Sequence, residues 1–537
     1  GNGPISVNNS CMNTPKIDPT PRRLLVCLSL VFTGGLAGPL VQAQPLSCPA
    51  VFDSQSESKV PQNQAELDQL VLELLRGEAL YIPVRNGFVS AAEGTAEGHE
   101  YSSFLWWRDV ARVVQGLVAK AELLRMTPGV SQEEREQAEK DARDAAMGMV
   151  KIMADKRFKT KALANIMNPN LHMRPEGDTL VPEIRTQTAP YIEDREPTEQ
   201  EKYESSQWGH KQNDALAAFG NTLLDAINGG YLHSSEVSGQ AKLNLELLTT
   251  YLTRVQYWKM WDVGAWEEPH HFANRTSSVG MVAGFIERIM KGLYAGEHRP
   301  VIPLDYFFLD LKSELSRLEA ANLTERQRNV VRTVMTAETL KQAVSHGVAL
   351  TKSRLGLNNR GNDPSFYEFT SSVAGETPRG ADTAIFHILW HSPSALSLAD
   401  QLHIVEGLKV LEREHGYIRY EDDQYLNLGY GEAEWTLIDA DLVSWYSDAY
   451  RTERNPEFLQ KAKYHAGRML SQITVEGALT TEGHPIAAGI VPEAFVPADA
   501  RGQTYKISPN SPLNWSTANV IRALKKLREA YILADRR

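Results

Sequence analysis

Cysteine, basic clusters and long apolar runs are all scarce in this chain of 537 residues. Of the three cysteines, Cys11 and Cys27 precede a predicted cleavage site, so the mature chain would keep Cys48 alone and have no internal disulfide. The net charge of −11, with no run of lysine and arginine among aromatic residues, argues against a nucleic-acid partner. Beyond the N-terminal segment no apolar stretch is long enough to cross a membrane, so we expect no span in the mature chain.

The N-terminal segment has the pattern of a secretory signal peptide. Two arginines at 22–23 precede a short apolar run at 24–32, and 41–43 (Val-Gln-Ala) is a small-residue cleavage pattern. We expect residues 1–43 to be an N-terminal extension with a signal peptide, and the mature chain to be exported to the periplasm or the exterior. An uncleaved membrane anchor is the alternative, but the apolar run is short and two glycines break it.

The rest of the chain predicts a single helical domain at 64–537, after a linker at 44–63. Six long loops each lead into an apolar helix, and each apolar helix is accompanied by a more amphipathic one. Helices that are apolar all round are usually buried, whereas one-sided helices lie outside. The predicted fold class is therefore all-α, an (α/α)6 toroid with long loops at one end; a solenoid would show a fixed repeat length, which is absent. The predicted inner helices are 109–124, 215–227, 277–290, 381–390, 436–450 and 515–533.

Aromatic and charged clusters recur in the loops just before these apolar helices. If the apolar helices form the inner ring, all the clusters meet at one end of it, and we expect one composite pocket there. The clusters are 106–109, 208–214, 266–268, 419–423 and 493–515.

The residue types in these clusters are typical of carbohydrate binding. Tryptophan offers a flat apolar face for the C–H face of a sugar, and charged or amide side chains can hold its hydroxyls. Each residue alone has a plainer explanation, since a tryptophan often packs in a core and Arg108-Asp109 could be a local ion pair at a helix start. The predicted sugar-binding residues are Trp106, Arg108, Asp109, Trp208, Gln212, Asp214, Trp266, Glu268, Arg419 and Trp515.

Adjacent carboxylates at Glu267 and Glu268 follow one of these tryptophans. Burying an unpaired carboxylate is costly, so a buried one indicates chemistry. The alternative is a solvated acidic pair in a first helical turn. His270 and His271 lie close by, but adjacent histidines lack the usual ligand spacing, and we expect neither a metal nor another cofactor.

Four segments resemble glycoside hydrolase family 15, the glucoamylases, and the related domain of phosphorylase kinase α and β subunits. The family has an aromatic-x-Trp-x-Arg-Asp segment, similar to 104–109, and a Trp-Glu-Glu matched by Trp266-Glu-Glu268. Its Pro-Glu and Pro-Leu-x-Trp pair is similar to Pro-Glu493 and Pro512-Leu-Asn-Trp515. Arg419-Tyr-Glu-Asp422 is loosely similar to an Arg-Tyr-x-Glu-Asp region and is one residue shorter. The resemblance covers about residues 100–530.

Two further segments resemble the kinase-subunit branch more than a typical glucoamylase. They are Trp208-Gly-His-Lys-Gln-Asn-Asp-Ala215 and Ser277-Ser-Val-Gly-Met281. The predicted export, and the lack of the long C-terminal extension of the kinase subunits, favour an enzyme over an intracellular regulator.

The resemblance implies an inverting glycoside hydrolase that releases glucose from the non-reducing end of α-linked gluco-oligosaccharides or glucans. Glu267 would be the general acid and Glu493 the general base, with their carboxyls about 6.5–9.5 Å apart to admit a water. Glu268 and Arg108-Asp109 would bind the terminal sugar. A non-hydrolytic glucan-binding or regulatory module is the alternative, and an enzyme of this fold acting on another sugar linkage is a third. We expect a monomer.

Overall fold

The computed structural model describes residues 60–93, 104–169, 184, 186–188, 211–268, 272–291, 311–359, 363–372 and 378–536. The predicted extension at 1–43, most of the linker, Trp208, His270 and His271 lie outside these residues. All described residues belong to one compact unit, 48–537.

Helices dominate the described part of the chain, and the strands are short. In chain order the elements are α1 (Gln64–Arg76), β1 (Leu105–Trp106), α2 (Trp107–Met126), α3 (Gln132–Met153), α4 (Lys156–Met167), β2 (Gln187–Thr188), α5 (Asn213–Asn228), α6 (Gly239–Arg254), α7 (Thr276–Lys291), α8 (Leu311–Ala320), α9 (Glu325–Val334), α10 (Ala337–Arg354), the long 3-10 helix (Thr383–His391), α11 (Leu398–Leu408), β3 (Glu434–Trp435), α12 (Leu437–Glu453), α13 (Pro456–Ser471), β4 (Ala494–Pro497), β5 (Tyr505–Ile507) and α14 (Asn514–Ala534).

Six elements pack in succession into an inner ring. Helix α12 packs on α14, α14 on α2, α2 on α5, α5 on α7, and α7 on the long 3-10 helix, which shares a cavity wall with α12. An outer helix covers each of them: α13, α1, α3, α6, α10 and α11 in the same order. This double ring confirms the predicted all-α (α/α)6 toroid.

Small residues let the inner helices approach each other closely. Gly116 of α2 lies against Ala518 of α14, and Gly220 of α5 lies against the ring of Phe285 in α7. A Cβ at either glycine would overlap its neighbour. Glycine at these two positions therefore allows the inner helices to pack in direct contact. The outer helix α3 instead buries one alanine-rich face, and a capping box of Ser131 and Glu134 begins it.

Two local predictions differ from the structure. The fourth inner element, predicted as an α-helix at 381–390, is a 3-10 helix whose first turn is capped by Asp382, which accepts from the Ala384 N–H. Helix α4 was not expected, because charged residues interrupt its sequence. Its buried residues Phe158, Ala162 and Ile166 are nevertheless spaced four apart, the signal that marks one helix face.

A small antiparallel sheet, in the order β3-β4-β5, lies beside the ring. Glu434 of β3 is paired with Phe495 of β4, and Phe495 with Ile507 of β5. This sheet fixes the chain just after Glu493. Within the described residues, no helix combines the length and the apolar character needed to cross a membrane.

Candidate active site

A cavity of about 1060 Å³ opens at the end of the ring where α2 and α14 begin. Eight of the predicted site residues line it, and they lie in the loop before, or in the first turn of, four different inner elements. Glu267 and Glu493, far apart in sequence, both face this cavity. The eight are Arg108, Asp109, Trp266, Glu267, Glu268, Arg419, Glu493 and Trp515.

Three other predicted residues lie behind the cavity wall. Trp106 packs in a small cluster with Ala91 and Phe104. Asp214 is fully buried and accepts from Arg108 Nε at 2.7 Å, and the buried side chain of Gln212 lies close enough to Glu267 to oppose the rise of its pKa. These three side chains therefore support the wall of the cavity, and their predicted sugar contacts remain predictions.

Glu267 lies at the end of a tight turn and has a left-handed backbone, with φ of 58°. Such a conformation costs about 1–2 kcal/mol for a residue with a Cβ and is held here by the surroundings. Arg108 donates to Gly264 O at 3.2 Å and to Glu267 Oε1 at 3.3 Å, so one guanidinium fixes both the turn and the carboxyl. The Glu267 side chain keeps 17% of its surface exposed, toward the cavity.

Burial raises the pKa values of the three carboxyls at the heart of the cavity. For Glu267, burial raises the pKa against the opposing effects of Arg108 and Gln212. Burial, followed by the negative charge of Glu267, raises the pKa of Asp109 to about 7. Burial also raises the pKa of Glu493, although bonds from Ser508 and Asn510 oppose it. A group that holds a proton at mildly acidic pH is thus available in the cavity.

Glu493 is held from one side only. Its Oε2 accepts from the Ser508 hydroxyl and from Asn510 Nδ2, the latter at 3.0 Å. Its backbone N–H donates to Ser511 Oγ at 2.9 Å. Among the described residues, no hydrogen bond reaches Oε1, so this atom can accept a proton from a molecule in the cavity.

Glu268 differs from its neighbour because protein donors occupy both of its oxygens. Arg379 binds it through two nitrogens at 2.8 and 3.0 Å, Arg275 at 2.9 Å and Tyr420 Oη at 2.6 Å. Burial opposes its ionisation, but the charges of Arg275 and Arg379 and the Tyr420 hydroxyl outweigh burial and lower the pKa to about 2. Glu268 is an anchor for the Glu267 turn, and its predicted sugar contact remains a prediction.

The depressed pKa of Glu268 predicts a pH-dependent contribution to stability. A lowered pKa stabilises the fold fully above the unfolded value of 4.5, and the contribution disappears as pH falls from 4.5 toward 2. The shift corresponds to roughly 3 kcal/mol, and loss of the anion also leaves two buried arginines under-paired. We therefore expect Glu268→Gln to lower the free energy of unfolding by about 3–5 kcal/mol at pH 7, measured by urea denaturation.

The difference between wild type and this variant should shrink between pH 4.5 and pH 3. Glu421→Gln is the matched control, because Glu421 is exposed at the rim of the same cavity and its replacement should change stability by less than about 0.5 kcal/mol. A difference that stays constant from pH 7 to pH 3 would show that the Glu268 charge does not act in this way.

Aromatic residues form one side of the cavity. The rings of Trp266 and Trp435 lie 5.8 Å apart, and Tyr425 stacks on Trp435 at 5.8 Å. Arg419 lies over Tyr425 at 4.7 Å and binds Asp423 through two nitrogens, each at 2.6 Å. The indole of Trp266 donates to Asp382 Oδ1 at 2.7 Å, which fixes the plane of that ring.

Sequence reasoning missed several residues of this site. Trp435 could have been found, because it precedes an inner helix as the predicted tryptophans do. Ser508 and Asn510 fall inside a predicted cluster and carry no motif of their own. Arg275 and Arg379 had no signal, because their function depends on distant partners. Among the described residues no group of three or more His, Cys, Asp or Glu is arranged to hold a metal ion, and the two adjacent histidines lie outside them.

No family model and no curated protein matches the chain. Among solved structures, it is similar to a wild-type glycosidase at 15% identity with a TM-score of 0.48, over 88% of this chain and 98% of that one. It is also similar to a glycoside hydrolase family 15 glucoamylase from Hypocrea jecorina, at 14% identity and a TM-score of 0.42, over 86% and 73% of the two chains. A cellobiose 2-epimerase from Spirochaeta thermophila is similar at 11% identity and a TM-score of 0.38, over 88% and 100%.

The fold and the site together define an (α/α)6 protein in which two carboxyls face one deep cavity, Glu493 buried and Glu267 partly exposed. Aromatic rings and paired arginines surround them. This combination limits the chemistry that the cavity can support.

Proposed function

We propose that the protein is an inverting glycoside hydrolase that releases glucose from the non-reducing end of α-linked gluco-oligosaccharides or glucans. The main support for the proposal is that Glu267 and Glu493 line the same cavity, each on its own loop and each with different hydrogen-bond partners. Glycoside hydrolysis generally uses such a pair, one carboxyl protonated and one ionised.

The acid role suits Glu267. Burial favours its protonated form, and Arg108 at 3.3 Å orients the carboxyl toward the cavity. A carboxyl in this state can donate its proton to the oxygen of the leaving group as the glycosidic bond breaks. After the transfer, the same arginine stabilises the carboxylate that remains.

The base role suits Glu493. Ser508 and Asn510 both bind Oε2, which leaves Oε1 to accept a proton from a water. The two bonds also favour the ionised form that a base requires, against the effect of burial. Attack by that water on the face opposite the leaving group inverts the anomeric centre.

The aromatic side of the cavity supports the choice of a sugar. Trp266, Trp435 and Tyr425 offer flat faces for C–H groups, and Arg419 and Asp109 offer a donor and an acceptor for hydroxyls. A volume of about 1060 Å³ is at the upper end of the usual range for ligand sites, so an oligosaccharide fits better than a single ring.

The first glucose released should be the β-anomer. Incubation with maltose, isomaltose, trehalose and soluble starch, followed by proton NMR before mutarotation, measures both the linkage and the anomer. The physical reason is single displacement by a water that Glu493 activates. The matched control is the same substrate without protein. On soluble starch, where nearly all early glucose comes from the attacked anomeric centre and not from a reducing end, early α-glucose would contradict inversion. Inertness on every substrate would favour the glucan-binding module.

A further inference from the structure

A second cavity, of about 330 Å³, lies toward the other end of the ring. Helix α2 lines both cavities: Arg108 lies on the wall of the first, and residues between Gln115 and Glu122 lie on the wall of the second. The second cavity therefore extends up to fourteen residues, or about 21 Å, further along that helix. The long 3-10 helix contributes its last residue, His391. The two cavities are therefore separate, and the first one does not account for the second.

Charges around the second cavity are balanced. Lys525 pairs with Glu122, and Lys526 with Asp448 at 2.9 Å. Asp225, also on the wall, is matched in charge by Arg288 at 2.7 Å; His391, whose pKa burial lowers to about 4, hydrogen-bonds to it as a neutral ring at 2.8 Å. A wall whose charges pair with each other offers little net attraction to an anion or a cation and suits a neutral ligand.

Buried polar atoms on the same wall are left without protein partners. Within the described residues, no hydrogen bond within 3.5 Å reaches Thr222 Oγ1, Asp441 Oδ2 or Arg522 Nη1, although the side chains of Trp390 and Asn519 lie close enough to Asp441 to oppose the rise of its pKa on burial. Thr222 is 1% exposed and Asp441 2% exposed, so bulk water does not satisfy them. Arg522 Nη1 is 3.6 Å from Asp441 Oδ1, too far for a hydrogen bond between them. Leaving such groups unsatisfied costs about 1–3 kcal/mol each, so a molecule in this cavity that bonds to them would be bound favourably.

The unpartnered atoms comprise a cationic donor, an anionic acceptor and a hydroxyl that can act as either. A molecule that satisfies all three must itself carry both donors and acceptors, as a polyol does. Phe386, Trp390 and Trp445 complete the wall with apolar surface for C–H groups. The volume is at the small end of the range for ligand sites, about 300–1,000 Å³.

We infer that this second cavity is a binding site for a neutral polyhydroxy compound the size of a mono- or disaccharide, separate from the candidate active site. Arg522 and Asp441 hold neighbouring hydroxyls as donor and acceptor, and Thr222 binds a third. The inference does not depend on hydrolysis at the first cavity, because it rests on residues that the proposed reaction does not use.

The direct test is a crystal structure of the full chain with glucose, paired with titration calorimetry in solution. Glucose density in the second cavity, within hydrogen-bond distance of Asp441 and Arg522, is the expected result. In solution, Thr222→Val should weaken binding at this site about twofold to tenfold, and Arg522→Gln by about tenfold or more. Thr249→Val is the matched control, because that buried threonine bonds to its own helix at Leu245 O.

Occupancy of the first cavity is separated by repeating the titration on Arg108→Met, which removes a guanidinium from the wall of the first cavity and does not touch the lining of the second; circular dichroism checks that the variant is folded. Binding that survives Arg108→Met and is weakened by Thr222→Val supports the second site, whatever the activity of the protein. Ordered water alone in the second cavity at saturating glucose would overturn the inference, as would density seen in crystals with no binding in solution. Inorganic phosphate is the charged comparison, and preferential binding of phosphate would overturn the choice of a neutral ligand.

Discussion

Glu267→Gln should lower kcat on maltose about 10²–10⁴-fold, the usual contribution of a general acid. The amide has the shape of the carboxyl and can keep its contact with Arg108, 3.3 Å away, but it has no acidic proton for the leaving oxygen. The loss should be much smaller on aryl glucosides with acidic leaving groups, since these depart without protonation. Steady-state kinetics on maltose and on a nitrophenyl α-glucoside measure the contrast.

Binding should be nearly unchanged in this variant, because the residues that line the cavity remain. Glu421→Gln, which removes an exposed carboxyl from the rim of the same cavity, is the control and should retain near-normal kcat. A loss that is equal on both substrates would assign Glu267 to positioning. A variant that retains most of its activity on maltose would exclude it as the acid.

The general plan of the fold could be predicted from the sequence because six long loops each lead into a helix rich in apolar residues, and a more amphipathic helix accompanies each of them. Burial of α5 along almost its entire length illustrates this, and its small residues leave few other environments for it. The 3-10 form of the fourth inner element was not readable. It depends on a cap by Asp382 and on packing against α7, and local sequence does not report such contacts.

The candidate site was readable to the extent that its residues lie next to an inner helix in sequence. Arg108, Glu267 and Glu493 meet because the ring brings the starts of its helices together. The sequence did not predict that Glu268 is bound by arginines while Glu267 faces the cavity. This difference depends on Arg379, which is 111 residues away from Glu268 along the chain. Trp106 was predicted to contact a sugar as the tryptophan of the segment 104–109; the structure packs it against Ala91 and Phe104, and the sugar contact remains a prediction.

Glu493→Gln should also lower kcat on maltose about 10²–10⁴-fold, because the water at the anomeric carbon would lack a base. The amide can still accept from Ser508 and Asn510, so the loop should keep its position. Unlike the acid variant, this one should be about equally slow on maltose and on aryl glucosides. In Glu493→Gln, Glu267 can still protonate the leaving group, and the attack by water is the step that is slowed on both substrates.

Azide distinguishes this role from a structural one. Azide is a nucleophile that needs no base, so it can take the place of the water and attack from the same face. With Glu493→Gln and an activated α-glucoside, added azide should restore part of the rate and yield β-glucosyl azide, detected by NMR. Glu267→Gln should gain much less on maltose under the same conditions, because its missing proton is on the other side of the bond. Recovery of the α-azide would mean that attack occurs from the side of the leaving group, and Glu493 could then not be the base of an inverting reaction.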